Sequence, residues 1–323
     1  MKKRIAAIIA AIMIVFSSAG LLAACDGTTP SGKTKIVATV FSEYDWVMNI
    51  LGDRKSDFDV KLLMDGGADL HSFQPSFDDM SAISECDIFI FVGGESDDWV
   101  AKQLKNAVNK DMKVINLLET LGDKAREEEE IEGMQEEEHE EEEETEYDEH
   151  VWLSLKNAKI FVKKIADVIS SVDNDNAEIY SANASSYIAK LNELDEKYDA
   201  MVNASPRDTA LFGDRFPFLY LFKDYDINYY AAFKGCSAAT EVSFETIAFL
   251  KDKINELNIR VILVLESSDE KIAKSIRNET ANKDQTIMKI DSLQSATKQE
   301  YESGRTYLNI MASNLDVLKR ALA

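Results

Sequence analysis

NDNAEIYSANASSYIAKLNELDEKYDAMVN, residues 174–203, contains no proline and no glycine. Apolar or aromatic side chains recur in it at Tyr180, Ala184, Tyr187, Leu191, Leu194, Tyr198 and Met201. Steps of three and four residues put all seven on one face of a helix. At 1.5 Å per residue that helix runs roughly 45 Å, enough to cross a whole domain. What lies on either side of it decides the fold.

On the N-terminal side, short apolar runs read as strands: KIVATV (35–40), VKLLM (60–64), DIFIFV (87–92) and KVINLL (113–118). Amphipathic segments such as residues 96–108 separate them. On the C-terminal side the pattern repeats with DTALFG (208–213), INYYAA (227–232), RVILVL (260–265) and TIMKI (286–290), and a last helix is expected over residues 298–322. Strands alternating with helices argue for parallel sheets covered by helices. The expected fold class is therefore α/β: two lobes, each a parallel β-sheet flanked by helices, joined by one long linking helix. The expected boundaries are 35–155 for the N-terminal lobe, 156–205 for the helical region and 206–323 for the C-terminal lobe. A cleft between two such lobes is a natural ligand site. Phe216, Phe218, Tyr229 and Tyr230 are expected in the core.

The chain begins MKKR, runs apolar over residues 5–16 and reaches Leu22-Ala23-Ala24-Cys25. A cationic start, a short apolar stretch and small residues read as a secretory signal peptide over residues 1–24. Residues 5–24 are barely long enough to span a membrane, and no basic stop-transfer flank follows. Leu-Ala-Ala-Cys resembles a bacterial lipobox, which implies a diacylglyceryl group on Cys25 and a lipidated tether over residues 25–34. Two acyl chains anchor stably where one would not. The expected location is outside the cytoplasm, on the bacterial cell membrane. Cys86 and Cys236 lie in no CxxC or nucleophile signature. Buried free thiols are the expected state, a disulfide the alternative.

The net charge of −23 is local. Residues 127–149 hold 16 acidic side chains and no Lys or Arg, and without them the charge would be −7. This argues against nucleic acid, which needs a basic face. It suits a loop that attracts cations, and self-repulsion predicts that the whole run is solvated. His139 sits inside it and is read as an auxiliary, low-affinity metal ligand. His150, just beyond it, is followed by apolar Val151-Trp152-Leu153, which ties it to the packed lobe.

His71 lies in a loop after the second strand, in GGADLHSFQPS. Asp214 lies in FGDRFPF at the end of the fifth strand, Glu266 ends RVILVLE, and Asp291 ends the last strand in MKIDSLQ. Ligand groups of parallel sheets gather at the carboxyl ends of strands. Singly, an Asp ending a strand is as easily a helix N-cap, and Glu266 as easily a partner within its own lobe. Together, two imidazoles and carboxylates suit a divalent metal.

At these residues the chain resembles a family: the solute-binding lipoproteins of zinc/manganese ABC importers (ZnuA/TroA-like, cluster A-I). The resemblance rests on DLHSFQPS, DIFIFVGGESDDW, YDEHVWLSLKNA, YSANASSYIAKLNELDEKY, VLESSDEKIAKSI and IDSLQ, and covers nearly everything after residue 25. It implies His71, His150 and Asp291 as metal ligands. The family's third ligand, His or Glu, falls in GDRFPF, which has neither. Strict alignment puts Arg215 there, which cannot coordinate, so the neighbouring Asp214 is taken as the ligand. Glu241, in ATEVSFE, Glu266 and Arg215 are expected to support the site from behind.

The resemblance implies no enzyme but a monomeric, lipid-anchored receptor. It would capture Zn2+ in preference to Mn2+ and hand it to an ABC permease. Two other readings compete. A zinc-dependent hydrolase needs an open metal position and a base, and the chain has no HExxH, G-x-S-x-G or P-loop. A surface adhesin fits the lipid anchor but does not require the ligands.

Overall fold

The computed structural model of the chain describes residues 32–66, 69–135, 146–237, 239 and 241–323. The expected leader, Cys25 and His139 lie outside the described residues. The first four strands are β1 (Thr34–Ala38), β2 (Phe58–Leu62), β3 (Ile88–Phe91) and β4 (Lys113–Asn116). Between and after them run α1 (Phe41–Leu51), α2 (Phe77–Glu85), α3 (Asp98–Lys105) and α4 (Leu117–Leu121). The helical region is α5 (Leu155–Val172) and α6 (Ala177–Ala204). The second series is β5 (Thr209–Phe216), α7 (Leu219–Asp224), β6 (Asn228–Lys234), α8 (Phe244–Leu257), β7 (Val261–Leu265), α9 (Lys271–Glu279) and β8 (Thr286–Ile290). Two helices close the chain, α10 (Lys298–Glu302) and α11 (Tyr307–Ala321).

All eight expected strands are present, in two four-stranded parallel sheets ordered β2-β1-β3-β4 and β6-β5-β7-β8. The two orders are the same plan used twice. Strands covered by helices on both faces read as unbroken apolar runs. Every residue of β3 and of β7 is accordingly buried. Residues from Thr34 to Ala323 form one compact unit.

The long helix α6 has 28 residues and buries the seven side chains that the periodicity selects. Each large apolar side chain so buried contributes roughly 1.5–3 kcal/mol, so packing rather than propensity holds the helix. It lies against α5, α1 and α11. The Tyr187 hydroxyl donates to Asp45 Oδ2 at 2.7 Å, and the Tyr198 hydroxyl to the Met311 carbonyl at 2.7 Å. The Tyr307 backbone also donates to Asp45. One buried carboxylate thus ties α1 to α6 and α11.

Two expectations change. The last helix is two, because Ser303 and Gly304, with φ 94°, break it and Thr306 caps a new start. The acidic run is also not one solvated loop. Glu127 bridges Tyr147 in antiparallel fashion, Met134 is buried, and Gln135 N donates to the Ala232 carbonyl. The Lys234 ammonium lies 3.4 Å from Glu128 and 3.7 Å from Glu146. Like-charge repulsion is overcome at both ends of the run because a buried cation and apolar contacts are available there. Of the expected core aromatics, Phe216, Phe218 and Tyr229 are buried and Tyr230 is partly so.

Candidate metal centre

His71 sits in a short 3-10 turn, Leu70–Ser72. Asp69 caps the turn, its Oδ1 accepting from His71 N at 3.0 Å, and buried Leu70 anchors it. Leu70 N donates to Gln294 Oε1 beyond β8 at 3.1 Å. The His71 Nδ1 meets Ser96 Oγ at 2.9 Å and Glu149 Oε2 at 3.3 Å. His150 is fully buried. Its Nδ1 lies 3.2 Å from Asp148 Oδ1, which also accepts from His150 N at 2.8 Å. Trp152 packs beside the ring and donates Nε1–H to the Ser292 carbonyl at 3.0 Å. That bond ties His150 to the second lobe.

Each imidazole therefore has a carboxylate behind its Nδ1. Such a partner selects the Nδ1–H tautomer and leaves a lone pair on Nε2. The two Nε2 atoms face each other at 3.3 Å. Two lone pairs at that distance repel unless a cation or proton lies between them. Nitrogens about 2.0–2.1 Å from a tetrahedral zinc stand roughly 3.3–3.4 Å apart. The observed separation fits.

Charge is arranged to match. Burial alone would lower the His71 pKa, but the hydrogen bond and charge of Glu149 hold it above its ordinary value. Burial would raise Glu149, yet hydrogen bonds from His71 and Ser96 hold it low. Glu149 Oε1 accepts from Ser96 N at 2.8 Å, and Gly94 leaves it room.

Cys236 completes a triplet. Its Sγ and the ring nitrogens of His71 and His150 all lie within 4.8 Å of one another. Both cysteines among the described residues are free, and Cys86 is buried elsewhere, its thiol donating to the Ile83 carbonyl. Burial, with Asp148, Glu128 and Glu149 nearby, pushes the Cys236 thiol well above its ordinary pKa. From the sequence this cysteine reads as a buried free thiol, with a disulfide as the alternative, and not as a metal ligand. Its one local mark in the sequence is a Gly-Cys pair just past the carboxyl end of a strand, which by itself names no partner.

Asp214 and Asp291 stand outside that triplet. The register of β5 slips between Phe212 and Arg215. At this irregularity Asp214 turns back: Oδ1 accepts from Arg215 N at 2.9 Å and Oδ2 from Leu265 N at 3.3 Å. Arg215 pairs with Asp69, and its Nη1 donates to the Ser237 carbonyl at 3.3 Å. Against the cost of burial, Arg215 keeps Asp69 ionised. Asp291 pairs with Arg305 at 2.5 Å and accepts from Leu293 N at 2.8 Å. Glu266 accepts twice from Ser292, at 2.9 Å from both its backbone and its hydroxyl, joining the β7 and β8 ends. Glu241 is exposed. A cleft of ≈ 400 Å³ opens beside His71, lined by Asp69, Asp214, Arg215 and Ser237 among others.

The family model described as zinc-uptake complex component A, periplasmic (ZnuA), matches residues 36–321. A curated relative, the high-affinity zinc uptake system protein ZnuA of Bacillus subtilis, is 30% identical over 94% of both chains. The zinc-binding protein AdcA of Streptococcus pyogenes is 28% identical over 99% of this chain but only 61% of its own length. The chain thus spans about three fifths of the streptococcal relatives. Among solved structures, the metal-dependent lipoprotein YcdH from Bacillus subtilis superposes with a TM-score of 0.72 at 28% identity, covering 90% of this chain and 99% of that one. The Zn(II)-bound ZnuA-like domain of Streptococcus pneumoniae AdcA does so at 0.70 and 26%, with the same coverage.

Proposed function

The chain belongs to the zinc-uptake complex component A family, and from that premise we propose that it is the extracytoplasmic receptor of an ABC importer for Zn2+. In this reading it is a monomer, anchored by a lipid on Cys25, that takes zinc between its lobes and presents it to a membrane permease. Zinc is cargo, and there is no turnover. The observation that carries the reading is the opposed pair of Nε2 atoms, 3.3 Å apart, each imidazole backed by its own acid.

His71 and His150 bind the ion. Asp148 and Glu149 fix the rings and balance charge from behind. Asp214 and Asp291 are the carboxylate candidates for a position that the histidines leave open. Asp291 reaches a metal only by leaving Arg305, and Asp214 only by giving up backbone N–H groups. Imidazole suits zinc, whereas carboxylate-rich sets suit manganese, and the two histidines at the centre favour zinc. Residues 127–149, with His139, gather cations by their field.

The test uses chain freed of its leader and stripped with a chelator. Zinc and manganese are titrated in competition, and bound metal is counted by elemental analysis. One tight zinc per chain is expected. Ligand binding only to the folded state raises the melting temperature by mass action. Zinc should therefore stabilise the wild type, and His71→Ala and His150→Ala should lose that gain. An unchanged zinc-induced shift in either variant removes that histidine from the site.

A further inference from the structure

We propose that Cys236, as its thiolate, is the third protein ligand, making the centre a two-histidine, one-cysteine set that selects zinc against manganese. This rests on the reading of His71 and His150 as ligands. The backbone carries the sulfur there by construction. Strand β6 ends at Lys234, and Gly235 follows it against Phe216 and His150. A β-carbon on Gly235 would lie 2.9 Å from the Phe216 carbonyl oxygen and 3.3 Å from His150 Cε1. Only glycine lets the chain pass so close to the Phe216 carbonyl, beside the ring, and the next residue is the cysteine.

The loop is then held from both sides. Cys236 N donates to Glu128 Oε1 at 2.7 Å, and the Ser237 carbonyl accepts from Arg215, which also pairs with Asp69 beside His71. Ligands on rigid, supported backbone keep their geometry. The competing carboxylates are already engaged, Asp214 with two backbone N–H groups and Asp291 with Arg305 and Leu293 N.

Thiolate is a soft ligand that suits zinc and not manganese. Two nitrogens and one sulfur leave a fourth tetrahedral position open. Structural zinc sites are closed by four protein ligands, so an open position suits an ion that must be given up again. The thiol proton goes to solvent as the metal–sulfur bond forms, and no redox change occurs.

The experiment loads the stripped protein with Co2+ under reducing conditions, counts the metal and records the absorption spectrum. Wild type should bind one cobalt and show the intense near-ultraviolet sulfur-to-cobalt charge-transfer band. Cys236→Ser should lose the band and bind zinc at least about tenfold more weakly, because losing even a supporting group behind a ligand costs about 10–100-fold. Its preference for zinc over manganese should narrow. Cys86→Ser should behave as wild type. One bound cobalt that depends on His71 but shows no charge-transfer band would overturn the cysteine assignment and leave the histidine reading standing. So would a band that survives Cys236→Ser. Failure to bind cobalt and zinc at all would overturn both.

Discussion

Gly94 leaves the space that Glu149 fills: a β-carbon on Gly94 would stand 2.4 Å from Glu149 Oε1. Glycine is suited twice over, since its φ of 86° lies where L side chains are strained. Gly94 therefore sets the position of an acid 55 residues away. That acid in turn holds the imidazole of His71.

Gly94→Ala should displace the Glu149 carboxylate and release the His71 ring. Zinc affinity is expected to fall about 10–100-fold, as for other losses behind a metal ligand, with one ion still bound. Isothermal titration against a competing chelator would measure it. Unchanged affinity would mean that Glu149 does not orient His71.

Arg215→Ala should weaken zinc binding more than Asp214→Ala. Arg215 joins Asp69 to the Ser237 carbonyl and so spans both loops that carry the site. Asp214 accepts hydrogen bonds from backbone N–H groups. The same chelator competition ranks the two. A larger loss from Asp214→Ala would make that carboxylate a ligand, as expected from its place beside the position that Arg215 occupies.

Removing residues 136–145 should spare the tight zinc, whereas a deletion that begins at Glu127 should not. Glu128 holds the Cys236 backbone, and Asp148 N donates to the Arg126 carbonyl. Extra, weakly held ions should disappear from both deletions, and salt should mimic their loss, because exposed charges are screened over about 8 Å at physiological ionic strength. Equal retention of the tight ion in both deletions would count against the role given to Glu128.

The metal-free protein should lose stability as pH rises from about 5 to about 8. Burial pushes Glu43 up to about 8, Asp97 to about 7 and Asp45 to about 6. An acid whose folded pKa is raised binds more protons folded than unfolded in that window. Its contribution is complete below the unfolded value and is lost as pH climbs through the folded one. One pKa unit corresponds to about 1.4 kcal/mol, so the fall is large enough to read in thermal melts. Glu43→Gln should flatten the slope in thermal melts made with a chelator present. A melting temperature that rises over this range would contradict the assignment.

The strands and the long helix were legible because burial on both faces, or on one helical face, leaves a periodic mark that needs no partner to be read. IFIF and VILVL carry it in the sheets, and Tyr180 to Met201 carry it in α6. His71 and His150 were legible because each lies in a short motif. Glu149 and Asp148 were not singled out, since in a run of acids one carboxylate looks like the next until Ser96 or an imidazole faces it. Cys236 and the Arg215–Asp69 pair were hidden for a different reason. Their partners lie far away in the chain, and only the folded loops bring a thiol to two rings. The break before α11 was marked by Ser303, Gly304 and Thr306, but the apolar spacing continues across it.

The two sheets share one strand order, and that places groups of the centre at matching stations in the two halves. His71 follows the second strand of its half, and Cys236 follows the second strand of the other. A chain descended from a duplicated half-length ancestor would carry its ligands at such matching stations. Two identical halves facing one another would supply matched donors to an ion on the axis between them. The two stations differ in the donor they carry: one bears an imidazole and the other a sulfur.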